Sequence, residues 1–177
     1  MVNPSDQQQA DRLSNVPPIS KSIGLAFPRR DVFDVLAKPN HLELFHPFCK
    51  KNKTISWGRE SRSDQIEYLN GTVLTRQFLT WIPNEGFDLL IGKSQARRSL
   101  VLWRLSEKSQ NESEISISVH PYIYEHWSSW KTQILHYFWI RRRLRSYLGS
   151  VLGGLDYFLR FGKHTPKNFP RSHPWFS

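Results

Sequence analysis

Apolar and polar positions along this chain change period twice, and the changes mark its elements. After Pro17-Pro18, Ile19, Ile23 and Leu25 alternate with Ser20, Ser22 and Gly24, which predicts a half-buried strand over 19–27. Pro28 suits the first turn of a helix, and Val32, Phe33, Val35 and Leu36 give that helix one apolar side. Lys38-Pro39-Asn40 stops it. A second short helix over 41–45 ends at His46-Pro47. From Phe48 to Tyr124 the period returns to two, predicting strands over 50–57, 64–69, 72–81, 86–91, 97–105 and 114–124. Asn70-Gly71 is a hairpin turn signal, Pro83-Asn84-Glu85-Gly86 marks another turn, and 106–113 reads as a polar loop.

The last change is the longest. Over 127–161 the period becomes helical for about nine turns. Trp130, Ile134, Tyr137, Leu144, Leu148, Leu152, Leu155 and Leu159 fall within about 40° of one line, and so does Arg141. A guanidinium on a buried stripe is costly unless it is paired or meets water. That predicts a helix covering an apolar surface with a polar position on its wall. Gly149, Gly153 and Gly154 weaken the helix locally and predict a close crossing with another backbone; Gly162 ends it. The first sixteen residues show no periodicity and read as disordered. The tail, 163–177, carries Phe169, Trp175 and Phe176 and is expected to lie on the domain formed by 17–162.

At 177 residues the chain suits one core, and seven Trp, six Tyr and eleven Phe supply burial that a hydrophobic fraction of 38% alone would not. The single cysteine, Cys49, excludes an internal disulfide framework and a cysteine-built zinc site. No apolar run reaches the ~18 residues of a membrane span, and the polar start lacks the pattern of a signal peptide. A soluble cytoplasmic protein is the expectation, and the three Asn-x-Ser/Thr sites then read as chance. The net charge of +10 is concentrated: residues 127–177 hold nine lysines and arginines against one acid, Asp156. That suits contact with an anionic surface or ligand, or a solvated helix face.

The order of strand, two short helices, antiparallel strands and a long C-terminal helix resembles the START-like superfamily, also called SRPBCC, which includes birch pollen allergens, polyketide cyclases and coenzyme Q-binding proteins. Two stretches carry the resemblance. Ile23-Gly24-Leu25-Ala26-Phe27-Pro28-Arg29-Arg30-Asp31-Val32-Phe33-Asp34-Val35-Leu36 looks like the family's opening strand and "P-x-x-x-V-F/W-x-x-L" helix start. Tyr147-Leu148-Gly149-Ser150-Val151-Leu152-Gly153-Gly154-Leu155-Asp156-Tyr157-Phe158-Leu159 is similar to the end of the long helix in polyketide cyclase-like members. The likeness spans roughly residues 18–162; the motifs are structural, and the family has no universal catalytic signature. It implies an α+β helix-grip fold, a curved antiparallel sheet of about seven strands around the long helix. It also implies a cavity for a lipid, quinone or polyketide-like molecule.

Under that resemblance, Trp103, Val119, Trp130, Ile134 and Tyr137 are the expected ligand-binding wall, with Arg141 as polar anchor. His46, His120 and Tyr122 are expected near the rim. An enzyme of the cyclase or aromatase type is the alternative, with His46, Glu43, Tyr122, His120 and Arg141 as its candidate groups, although no catalytic set is assigned. No GxSxG, Walker loop or paired-carboxylate motif supports hydrolase or nucleotide chemistry. No HxxxH or HxH pair supports a metal, and no cofactor is expected. A third reading is a docking module: Lys131, Trp139, Arg142 and Arg143 on the helix's outer side suit an anionic membrane surface. Nucleic-acid contact through the same face would be sequence-blind, and the helix's commitment to the sheet argues against it.

Overall fold

The computed structural model describes residues 3–93, 97–124 and 130–177, and of residues 124 and 130–137 it describes the backbone alone. Seven strands form one antiparallel sheet: β1 (Ile19–Leu25), β2 (Cys49–Trp57), β3 (Arg62–Tyr68), β4 (Val73–Ile82), β5 (Gly86–Gly92), β6 (Arg98–Ser109) and β7 (Glu112–His120). Their spatial order is β1-β7-β6-β5-β4-β3-β2, so the first strand closes onto the last and the rest form a meander. Between β1 and β2 come the helices α2 (Arg29–Leu36) and α3 (Leu42–Phe45), and α4 (Trp130–Phe161) follows the sheet. This is the α+β helix-grip architecture that the resemblance implies, built from elements that the periodicities predict.

Register explains which face is inner. Val101 opposes Val119, Trp103 opposes Ile117, Leu105 opposes Ile115, and Phe87 opposes Trp103, so period-two apolar positions of neighbouring strands meet on one face. Against that face α4 lays Leu148, Val151, Leu152 and Leu155, all buried. Gly154 marks a close approach to another element. A Cβ there would overlap the carbonyl oxygen of Phe45 at the end of α3, so only glycine lets the two backbones come so near. The Thr165 hydroxyl then donates to the Gly154 carbonyl at 2.7 Å and fixes the chain leaving the helix.

Three stretches differ from their sequence reading. Residues 4–14, expected to be disordered, form helix α1 (Pro4–Ser14) with Asn3 as its N-cap, whose side chain accepts from the Ser5 N–H. Its apolar side is only Ala10 and Leu13, too few to show as a period. With Val16 they cover Leu90 and Leu100 on the outer face of the sheet and make a second small core. Arg98 ties the helix down through Asp6 at 2.6 Å and Gln9 at 2.8 Å. The polar stretch 106–113 is the end of a hairpin rather than a loop: Ser106 pairs with Glu114 and Glu107 with Ser113; residues 106–112 are exposed and polar on both faces, and only Ser113 is buried, donating to the Phe27 carbonyl. β7 in turn stops at His120, because Pro121 has no N–H to give the ladder, and a turn of 3-10 helix follows over Tyr122–Tyr124.

Candidate functional site

A cavity of about 770 Å3 lies between α4 and the inner face of the sheet. Its sheet wall includes Leu74, Leu89, Ile91, Val101, Trp103 and Val119; its helix wall includes Ile140, Leu144, Tyr147, Leu148 and Val151. The lining is mostly apolar; Arg76, His46, Tyr68 and Tyr147 form its buried polar part, and Thr72, Lys93, Arg97 and Ser99 also border it. Apolar walls with a few convergent polar groups are the usual form of a small-molecule site.

Arg76 is the cavity's buried charge, 3% exposed. It sits opposite Asp64 in the register of β4 and β3, and its Nε donates to Asp64 Oδ1 at 2.7 Å while Nη2 donates to Oδ2. Nη2 also donates to His41 Nε2 at 3.3 Å. That assigns the imidazole: His41 Nδ1–H donates to the Lys38 carbonyl at 2.9 Å, leaving Nε2 as the acceptor. Burial, then the Arg76 charge, lower the His41 pKa to about 3, so the ring is neutral. Burial pushes the Asp64 pKa up, but the Arg76 charge and hydrogen bonds outweigh it, and the net shift is down. The cluster is therefore one cation, one anion and one neutral ring. The guanidinium's Nη1 makes no hydrogen bond among the described residues.

A second hydrogen-bonded set adjoins it. His46 Nδ1 accepts the Phe48 N–H at 3.2 Å, so the neutral ring carries its proton on Nε2, which donates to the Tyr147 hydroxyl at 2.9 Å. The Tyr147 and Tyr68 hydroxyls are 3.1 Å apart. Three hydrogens serve these two bonds, so one phenolic hydrogen is left for a partner in the cavity. Burial, then the Arg76 charge, lower the His46 pKa to about 3; burial raises Tyr68 to about 12 and Tyr147 well above its ordinary value.

The residues singled out in the sequence fall in several places. Trp103, Val119 and His46 are on the cavity wall, and Tyr122 lies at its exposed rim. His120 is on the other face of the sheet: its Nδ1 donates to the Val16 carbonyl at 2.6 Å beneath α1, because it is one residue out of phase with Val119. Glu43 accepts the Asn52 N–H at 2.7 Å and braces β2. Arg141 is half-buried and not on the cavity wall. The helix meets the cavity along Ile140, Leu144, Tyr147, Leu148 and Val151, and at about 100° per residue Arg141 stands roughly 75° off that line. Trp139, expected on the outer side, lines the cavity mouth, with its ring 5.7 Å from that of Trp175 and the Arg143 guanidinium 4.1 Å above it. Arg142 is exposed. The side chains of Trp130, Lys131, Ile134 and Tyr137 lie outside the described residues. Among the described residues no group of three or more His, Cys, Asp or Glu is placed to hold a metal, and no helix is long and apolar enough to cross a membrane.

Arg76, Asp64, Tyr68 and Tyr147 were not singled out, yet the signal was present for the first two. Arg76 alternates with Leu74 and Phe78, and Asp64 with Ile66 and Tyr68, each a charge in phase with inward apolar positions of adjacent strands.

No protein-family model and no curated protein sequence matches the chain. Its fold recurs among solved structures. TTHA0849 from Thermus thermophilus superposes with a TM-score of 0.63 at 9% identity, over 82% of this chain and 99% of that one. The ZhuI aromatase/cyclase from Streptomyces sp. R1128 gives 0.58 at 13% identity, over 84% and 98%. DynU16, a putative protein of the dynemicin biosynthetic locus, gives 0.60 at 11% identity over 84% of this chain, which spans only 49% of DynU16. At these identities the shared property is the fold.

Proposed function

We propose that the chain binds an amphipathic small molecule in this cavity, its apolar body against the sheet and α4 and an oxygen acceptor at Arg76. The carrying observation is a buried guanidinium on a cavity wall with one nitrogen, Nη1, left without a hydrogen bond among the described residues. Because Asp64 already balances the charge, a ligand carboxylate would be desolvated with little net attraction. A neutral carbonyl, quinone or phenol oxygen suits the site better, with Nη1–H as its donor and the spare phenolic hydrogen as a second donor on the wall.

Binding is favoured over cyclase-type catalysis by the titration of the wall. His46 at about 3 and Tyr68 at about 12 both stand far from neutrality, where a general acid or base works best. The test is titration with decylubiquinone, followed by quenching of tryptophan fluorescence, alongside mass spectrometry of organic extracts of freshly purified protein. Saturable quenching is expected, with R76M weakening it about tenfold or more, the scale of a hydrogen bond from a charged donor. Absence of both saturable quenching and any extracted ligand rejects the reading.

Peripheral contact with an anionic membrane is a second reading, carried by an exposed stretch of α4. Phe138 is 61% and Trp139 49% exposed, beside exposed Arg142 and Arg145. Aromatics and arginines together suit the lipid headgroup region. The protein is then expected to sediment with phosphatidylglycerol-containing vesicles, less so as salt rises, and R142E/R145E to reduce the bound fraction. Equal sedimentation with pure phosphatidylcholine vesicles counts against it.

A further inference from the structure

The C-terminal segment after α4 reaches into the same cavity. Its first half is bound to the domain: the Thr165 N–H donates to the Leu44 carbonyl at 3.0 Å, the Asn168 N–H to the Pro47 carbonyl at 2.9 Å, and Lys167 to the Cys49 carbonyl. His173 then anchors the rest. It is buried, its Nε2 donates to the Arg143 carbonyl on α4 at 3.2 Å, and its Nδ1 accepts the Trp175 N–H at 3.3 Å. The His173 carbonyl accepts from the N–H groups of Phe176 at 3.1 Å and Ser177 at 3.0 Å, closing a turn on the anchor. From the opposite side Asn70, in the β3–β4 turn, donates to the Trp175 carbonyl at 2.7 Å. The segment thus bridges α4 and a hairpin turn across the cavity edge.

What this bridge presents is an aromatic ring at the polar end. Phe176 lines the cavity and stacks on Tyr68 at 4.3 Å between centroids with an interplanar angle of 28°; it lies 4.7 Å from Tyr147. These are the two phenols that share the spare hydrogen. A flat ligand ring brought up to that hydrogen would stack on Tyr68 from the side Phe176 already covers.

We infer that Phe176 is a specificity-determining residue: the chain's own ring fills the stacking position beside Tyr68 and limits how large a ring system can reach the polar end. The inference rests on the binding reading above. Its consequence is a preference set by size rather than by polarity, because Phe176 removes space and offers no hydrogen bond. His173 acts as a positioning residue, holding the ring through the Arg143 carbonyl.

The test compares two fluorescent phenols with the same hydrogen-bonding group, 1-naphthol with two fused rings and 1-hydroxypyrene with four. Truncation in F176A is expected to tighten 1-hydroxypyrene by about tenfold or more, the scale of a pocket-size change, and to change 1-naphthol far less. F176L should give a smaller shift of the same sign with the fold kept, F176W the reverse, and H173A a shift in the direction of F176A. An unchanged ratio of the two affinities across F176A and F176L overturns the inference while leaving the cavity reading in place. Binding of neither phenol to wild type or to any Phe176 variant overturns both.

Discussion

Replacing Asp64 with leucine is expected to cost about 3–5 kcal/mol of folding stability, while adding Arg76→Met to the same chain restores most of the loss. Asp64 is fully buried and Arg76 nearly so, and together they form a two-point ion pair across β3 and β4. Removing the carboxylate leaves a guanidinium in an apolar wall with only the His41 ring as acceptor, and an uncompensated buried charge carries a penalty of that size. Removing both charges replaces the pair with hydrophobic side chains, which is often neutral for stability. What remains is the lost donor to His41 Nε2, a cost of about 1 kcal/mol, and the lost Asn52 contact to the carboxylate. Urea denaturation of wild type, D64L, R76M and D64L/R76M measures this directly. If D64L is within about 1 kcal/mol of wild type, the pair is not buried in the way the geometry describes. The double variant also separates folding from function: it is expected to be stable and still bind decylubiquinone poorly, because the Nη1 donor is gone.

Acidification from pH 7.5 to 5.5 is expected to remove about 3 kcal/mol of stability, chiefly through two histidines. His41 and His46 titrate at about 6.5 in the unfolded chain and at about 3 in the fold, held down first by burial and then by Arg76. Between those values the unfolded chain binds protons that the folded chain refuses. The stabilisation is complete above about 6.5 and drains away as pH falls toward 3. His173, also lowered by burial, adds in the same direction. Asp64 adds to it only at lower pH, where its carboxylate begins to take a proton. Denaturation curves at the two pH values test this, with H46Q expected to show about half the loss. A stability that is flat across this range would mean that both rings are protonated or solvated in the fold.

The strand and helix order was legible in the sequence because each element buries one face, and burial writes a period. Ile115, Ile117 and Val119 read as one face and are one face. Where burial is slight the period fails: α1 hides only Ala10 and Leu13, and the hairpin end over 106–112 is exposed throughout. The site was legible in part. Trp103 and Val119 follow from strand phase, but His120, one residue on, belongs to the opposite face. Arg141 stands off the line along which the described part of α4 meets the cavity. The stripe over the whole helix averages two surfaces, the solid core near Leu152 and Leu155 and the cavity near Ile140 and Leu144, which lie on different lines. Arg76 needed the pairing of two strands: a charge on one inward face is an anomaly, whereas opposite charges directly across a ladder are a buried pair. The part played by Phe176 is carried by an irregular segment, whose position no periodicity encodes.

Helix α1 has one more consequence. By covering Leu90 and Leu100 from outside, it clamps the middle of the sheet, β5 and β6, between two apolar layers. That half of the cavity is a fixed jaw, since bending it would open a packed seam behind it. If the proposed binding holds, a bulkier ligand is expected to displace the other jaw, where α4, Trp139 and the turn built on His173 meet.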